Sequence, residues 1–231
     1  TADDGLIKLT KQVLIGTSYD VVSVMEPDFT SKYQTVTNWG EKYGIKKING
    51  KLVTKFTQKM GKPPVIVAGM TPCTAWSEIV SAFYSAGFHG ELAGGGLPSE
   101  ELFEERIKEI TSCIPLGEGI TINILYLNAR LWGFQYKLSL KMIKEGYPII
   151  GITIAAGVPS PDTGKEIIDE TYECGIRTLT FKPGSVDSIF NVLEIAAYAE
   201  EKYPEYKIII QWTSGRAGGH HSFEDFHQPM I

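Results

Sequence analysis

This chain is short of the residues that fix a fold by covalent or metal crosslinks. Its 231 residues hold three cysteines, Cys73, Cys113 and Cys174, odd in number and far apart. That pattern fits neither a disulfide framework nor a structural metal site, so no metal is expected and a reducing, cytoplasmic setting is. No apolar run approaches the roughly 18 residues that a membrane-crossing helix requires. Basic residues are outnumbered, 22 Lys and Arg against 27 Asp and Glu, and they nowhere cluster. A net charge of −5 therefore leaves no footprint for nucleic acid. No G-x-G-x-x-G follows an apolar run, and Gly94-Gly-Gly96 does not meet that spacing, so a Rossmann dinucleotide site is not supported. The start, Thr-Ala-Asp-Asp-Gly, has neither an apolar signal core nor an initiator Met, and the chain stops at Pro-Met-Ile. These ends are read as those of a piece of something longer.

What is present is enough apolar residue, 43%, to bury a core. Residues 1–62 are polar, with scattered aromatics such as Tyr33, Trp39 and Tyr43, and read as a linker and lead-in. Within them Lys46 to Phe56 reads as a hairpin around Asn49-Gly50, a strong turn signal. From Pro63 a rhythm begins. Apolar runs at Val65–Ala68, Gly90–Ala93, Gly119–Tyr126, Pro148–Ile154, Arg177–Phe181 and Lys207–Gln211 predict six strands. Helical patterns are predicted over 76–86, 99–113, 130–145 and 163–174, and after Ser185, where Ile189, Val192, Leu193, Ala196 and Ala197 recur with a 3.6-residue period. The strands return roughly every 24–31 residues, the length of a βα unit. They read as apolar on both faces, as in a covered parallel sheet. Six units without an evident reversal predict a (β/α)8 TIM-type barrel of which this chain carries about six units, with a doubly wound sheet as the competitor.

Reactive groups in such a barrel sit just after the strands. The strand ends here carry Ala68-Gly-Met-Thr71, Gly94 and Gly95, Asn123 and Asn128, Ala155-Ala-Gly157, Lys182, and Gly218-Gly-His-His221. Each alone is weak: Gly-rich turns are common, Asn123 could be a satisfied core amide and Lys182 a solvated charge. Together they describe a pocket floored by glycine, with an amine, amides and two imidazoles. A flat polar ring with an anionic tail suits it. Gly69, Gly94 and Gly95 let a ring lie against backbone, Met70 can form a shelf, and Asn123 and Lys182 can meet the carbonyl edge of an isoalloxazine. His220 and His221 follow two residues without side chains and are candidates for proton transfer. His89 and His227 lack such a context and read as structural or surface.

Pro63-Pro-Val-Ile-Val-Ala-Gly-Met-Thr-Pro-Cys-Thr74, Glu91-Leu-Ala-Gly-Gly-Gly96, Lys182-Pro-Gly-Ser185 and Gln211-Trp-Thr-Ser-Gly-Arg-Ala-Gly-Gly-His-His-Ser-Phe-Glu-Asp225 carry a resemblance. From about Gly44 onward the chain closely resembles the enoyl reductase domain of the fungal type I fatty acid synthase β subunit, and more distantly the FMN-dependent nitronate monooxygenases. The resemblance implies an FMN-bearing barrel that uses NADPH to reduce a trans-2-enoyl thioester on acyl carrier protein. It further implies the remaining synthase domains and the α subunit as partners. Carried over by position, Ala68, Gly69, Met70, Thr71, Gly94, Gly95, Asn123, Lys182, Gly218 and Gly219 would hold the flavin. His220 would be the catalytic histidine and His221 its rival. Ser214 and Ala217 stand where a relative has Gly. Three other readings stay open: a nitronate monooxygenase, an aldolase with Lys182 as its Schiff-base amine, and a structural barrel segment inactive by itself. A phosphate in such barrels typically sits after strands seven and eight, so this stretch alone is expected to bind FMN poorly.

Overall fold

A computed structural model describes residue 40, residues 44–213, and residues 215 and 222. The chain divides into two compact units, Thr1–Lys55 and Phe56–Ile231. In the first, β1 (Lys46–Ile48) and β2 (Lys51–Val53) pair antiparallel with Ile48 opposite Lys51. Asn49 and Gly50 both take positive φ, 49° and 78°, which is what a two-residue hairpin turn with the right twist requires. The hairpin ends at Val53, sooner than the sequence suggests, because Lys55–Met60 turns into helix α1.

The second unit is a six-stranded parallel sheet alternating with helices, curled into a half-barrel. Its strands are β3 (Ile66–Val67), β4 (His89–Ala93), β5 (Ile120–Leu125), β6 (Ile149–Ala155), β7 (Thr178–Phe181) and β8 (Lys207–Ile210). They lie side by side in chain order. That order has no reversal, so the doubly wound alternative falls away, and six consecutive units of a (β/α)8 barrel stand in its place.

Each crossover helix has a readable start. Ser99 caps α3 (Glu100–Cys113), accepting from Leu102 N at 3.3 Å, and Glu100 and Glu101 sit in the favourable first turn. Asn128 caps α4 (Ala129–Lys144), accepting from Leu131 N at 3.1 Å, a structural role for that side chain. Ser160 and Pro161 open α5 (Pro161–Glu173). Ser185 and Ser188 form a reciprocal capping box at the start of α6 (Val186–Lys202). The first crossover helix, α2 (Ser77–Ser85), has Glu78 in its first turn.

The core lies between sheet and helices. Leu92, Ile120, Ile122, Ile124, Ile152, Ile154, Leu179 and Phe181 point outward from the strands into it. They meet Phe103, Ile107 and Ile110 of α3, Met142 of α4, Ile167 and Ile168 of α5, and Val192 and Ile195 of α6. The strands are not apolar on both faces, contrary to the sequence reading. The alternate residues, Glu91, Thr121, Asn123, Thr153, Thr178 and Thr180, are polar and buried on the concave side. Alternation of period two put threonine and isoleucine on opposite faces.

Two close approaches fix the layers. A Cβ at Gly90 would lie 2.2 Å from the Phe83 ring, and one at Gly164 would lie 2.3 Å from Ile195. Tyr84 from α2 donates to Gly90 O at 2.6 Å and accepts from Thr121 N at 2.8 Å, tying β4 to β5. Gly90→Ala should therefore overpack this contact and lower stability by about 1–3 kcal/mol, read as a shift in the urea midpoint at unchanged m-value.

Candidate functional site

The carboxyl ends of the strands open onto a cavity of about 810 Å³, within the usual range for small-molecule sites, about 300–1,000 Å³. Ala68, Gly69, Met70 and Thr71 line it after β3, and Gly95 after β4. Asn123 joins from β5 and Lys182 from just past β7. Seven of the ten residues that the resemblance assigns to the flavin thus line one cavity. Gly94 does not line it. It is buried behind, where an added Cβ would lie 2.4 Å from Gln135 Oε1 and 2.7 Å from Asn123 O. Gly218, Gly219, His220 and His221 lie outside the described residues.

The glycines have a physical reason to be there. A Cβ at Gly69 would lie 2.7 Å from the Asn123 side chain, and one at Gly95 would lie 2.9 Å from Thr71 Oγ1. Gln135 of α4 is fully buried and donates to Gly94 O and Leu97 O, both at 2.8 Å, which pins the tight turn at Gly94–Gly96. After β6 the chain turns through Ala156 and Gly157 with φ of 51° and 123°. That left-handed stretch sets Ala155, Ala156, Gly157 and Val158 on the cavity wall beside Leu125 and Leu127.

At the base is a residue to which the sequence reading assigned no role. Glu91, in the middle of β4, has no exposed surface. Its Oε2 accepts from Gly69 N at 2.7 Å, Asn123 Nδ2 at 2.8 Å and Lys182 Nζ at 2.8 Å. Its Oε1 accepts from Thr153 Oγ1 of β6 at 2.9 Å. The Lys182 side chain is 11% exposed and reaches the cavity. One signal could have exposed Glu91: an acid inside a strand that is otherwise buried needs partners. Lys182 is neither solvated nor isolated.

The Schiff-base reading of Lys182 changes footing. A carboxylate, that of Glu91, stands beside the amine. What now opposes that role is the ion pair itself, since the amine must shed its proton to attack a carbonyl.

On the polar side of the wall Gln211 and Trp212 follow β8, with Ser185 and Ser188 at the start of α6. Gln211 Oε1 and Trp212 Nε1 are buried and unpaired among the described residues. Buried polar atoms of this kind call for a partner. Among the described residues no cluster of His, Cys, Asp and Glu could hold a metal, and no helix is long and apolar enough to cross a membrane.

The fold and its strand ends define an α/β barrel segment with a cavity of small-molecule size. Comparison with known proteins narrows this. The family model described as "Fatty acid synthase subunit beta/Fas1-like, helical" matches residues 207–231. The fatty acid synthase β subunit aflB of Emericella nidulans is 47% identical over 180 residues, which are 78% of this chain and 8% of that protein. The fatty acid synthase subunit β of Schizosaccharomyces pombe is 43% identical over 199 residues, 84% of this chain and 9% of the relative. The β subunit pigK of Monascus ruber is 40% identical over 222 residues, 94% and 10%. The relatives of this chain are thus fungal fatty acid synthase β subunits, and the chain spans about a tenth of their length. Among solved structures, a type I 3-dehydroquinate dehydratase from Clostridium difficile covers 74% of this chain and 81% of its own at 10% identity. Its TM-score of 0.33 is too low to carry an argument.

Two outcomes follow from the base of the site. Thr153→Val removes one charge-assisted bond at nearly constant volume and should cost about 1.5–3 kcal/mol in urea unfolding. His89, two residues before Glu91, is buried edge-on to Phe56, and burial pulls its imidazole below the usual value. Nearby Glu91 opposes this shift and Lys62 adds to it. Below about pH 6.5 the unfolded chain takes up a proton that the folded chain resists. Stability should be intact above that pH and decline as pH falls beneath it, and His89→Gln should flatten the slope.

Proposed function

We propose that this chain forms part of an FMN- and NADPH-dependent enoyl-[acyl-carrier-protein] reductase within a fatty acid synthase β subunit. The observation that carries the reading is the strand-end cavity in which Gly69, Met70, Thr71, Gly95, Asn123 and Lys182 meet. Its relatives, named as fatty acid synthase β subunits, support the same reading. The cavity residues suit FMN in three ways. Volume is adequate, backbone at Gly69 and Gly95 is open to a ring, and a nearly buried ammonium stands at the base. Gln211 and Trp212 add polar atoms in want of a partner.

When bound, FMN supplies the hydride relay between NADPH and the enoyl carbon. The residues supply the rest. Lys182 and Asn123 would hold the carbonyl edge of the ring with their N–H donors. Met70 and Thr71 flank it, and Gly69 and Gly95 give it room. His220, with His221 as the alternative, gives a proton to the carbon next to the thioester or steadies the charge on its oxygen. Acyl carrier protein delivers the thioester, and the other synthase domains and the α subunit complete the assembly.

The test uses the full-length protein. Flavin absorbance should accompany it, and NADPH oxidation should be driven by a crotonyl thioester in preference to an alkyl nitronate. His220→Ala should slow enoyl reduction about 10²–10⁴-fold while flavin stays bound. Near-normal turnover in that variant would reject His220. A nitronate preference would select the monooxygenase reading, and absent flavin a structural segment.

A further inference from the structure

Glu91 takes no part in the chemistry just described and does not line the cavity. Three of its partners do, Gly69 through its backbone and Asn123 and Lys182 through their side chains. A lysine ammonium has three N–H donors and an amide nitrogen two. Glu91 Oε2 takes one from each, at 2.8 Å. The donors left on both nitrogens are aimed by bonds to a single oxygen atom, itself held by Gly69 N on the same atom and by Thr153 through Oε1.

We propose that Glu91 is a positioning residue: it aims the free donors of Lys182 and Asn123 into the cavity and offsets the ammonium charge. The site then accepts the neutral, carbonyl-rich edge of a ring and discriminates against free inorganic anions. The identity of that ring rests on the flavin reading above; the pairing does not. The physical reason is the cost of an unpaired buried charge. With Glu91 in place the pair is neutral and the base of the cavity has little call for another anion. Glu91→Gln keeps the size and one acceptor oxygen but removes the charge. Lys182 is then left as a nearly buried cation that draws an anion to itself.

Sulfate is the probe. Thermal unfolding of the full-length wild type, Glu91→Gln and Glu91→Gln/Lys182→Met is followed in rising sulfate at constant ionic strength. The single variant should show an apparent sulfate affinity about tenfold or more above wild type, an effect of uncompensated charge. The double variant should lose that gain. An equal response in wild type and the single variant overturns the proposal, as does a gain that persists without Lys182. If Glu91→Gln fails to fold while the double variant folds, the uncompensated ammonium is again the cause and the proposal stands. Failure of both makes Glu91 purely structural and overturns it. Flavin absorbance of the wild type is recorded separately. Its absence would sink the flavin reading, and the sulfate comparison would still judge Glu91.

Discussion

One carboxylate holds four strands in place. Glu91 bonds to the backbone after β3 and to side chains from β5, β6 and β7. A carboxylate without water is tolerable only when its lone pairs are met and its charge is balanced, and here each condition is fulfilled by a different strand. Breaking the web at one point therefore unsettles partners elsewhere. The curl of the sheet and the ionisation of the site are one problem with one solution.

The same economy shapes the two faces of the sheet. The convex face carries Ile, Leu and Phe against the helices, and supplies the hydrophobic driving force. The concave face carries Thr, Asn, Gly and Glu, which are small or able to pair. A concave face built of Ile and Leu would have filled the half-barrel. Small polar residues leave room, and glycine keeps it open where Asn123 and Thr71 come close to Gly69 and Gly95.

Much of this was legible in the sequence. Six apolar runs gave the strands, periodic Ile and Val positions gave the helices, and Ser99 and Ser185 marked helix starts as capping physics predicts. Ala68 to Thr71, Gly95, Asn123 and Lys182 came together because strand ends converge in a parallel barrel. Three features were not legible, for separate reasons. The strands read as apolar on both faces because threonine is β-branched and sits well in a strand, although the hydroxyls of Thr121, Thr153 and Thr180 belong on the polar face. Which glycine of Gly94–Gly96 faces Gln135 and which the cavity was hidden, because a glycine run does not reveal which member faces a neighbouring amide. Glu91 drew no notice because its partners come from four separate stretches of chain, and no local pattern joins them.

The strands lie in the sheet in the order in which they leave the ribosome. Each arrival can dock on the strand before it, so assembly can proceed while translation continues. Glu91 is an exception to this orderly growth. Its counter-charge, Lys182, is 91 residues downstream, a delay of about 5–20 s at ordinary synthesis rates of about 5–20 residues per second. Until β7 is made, Lys182 cannot pair with Glu91.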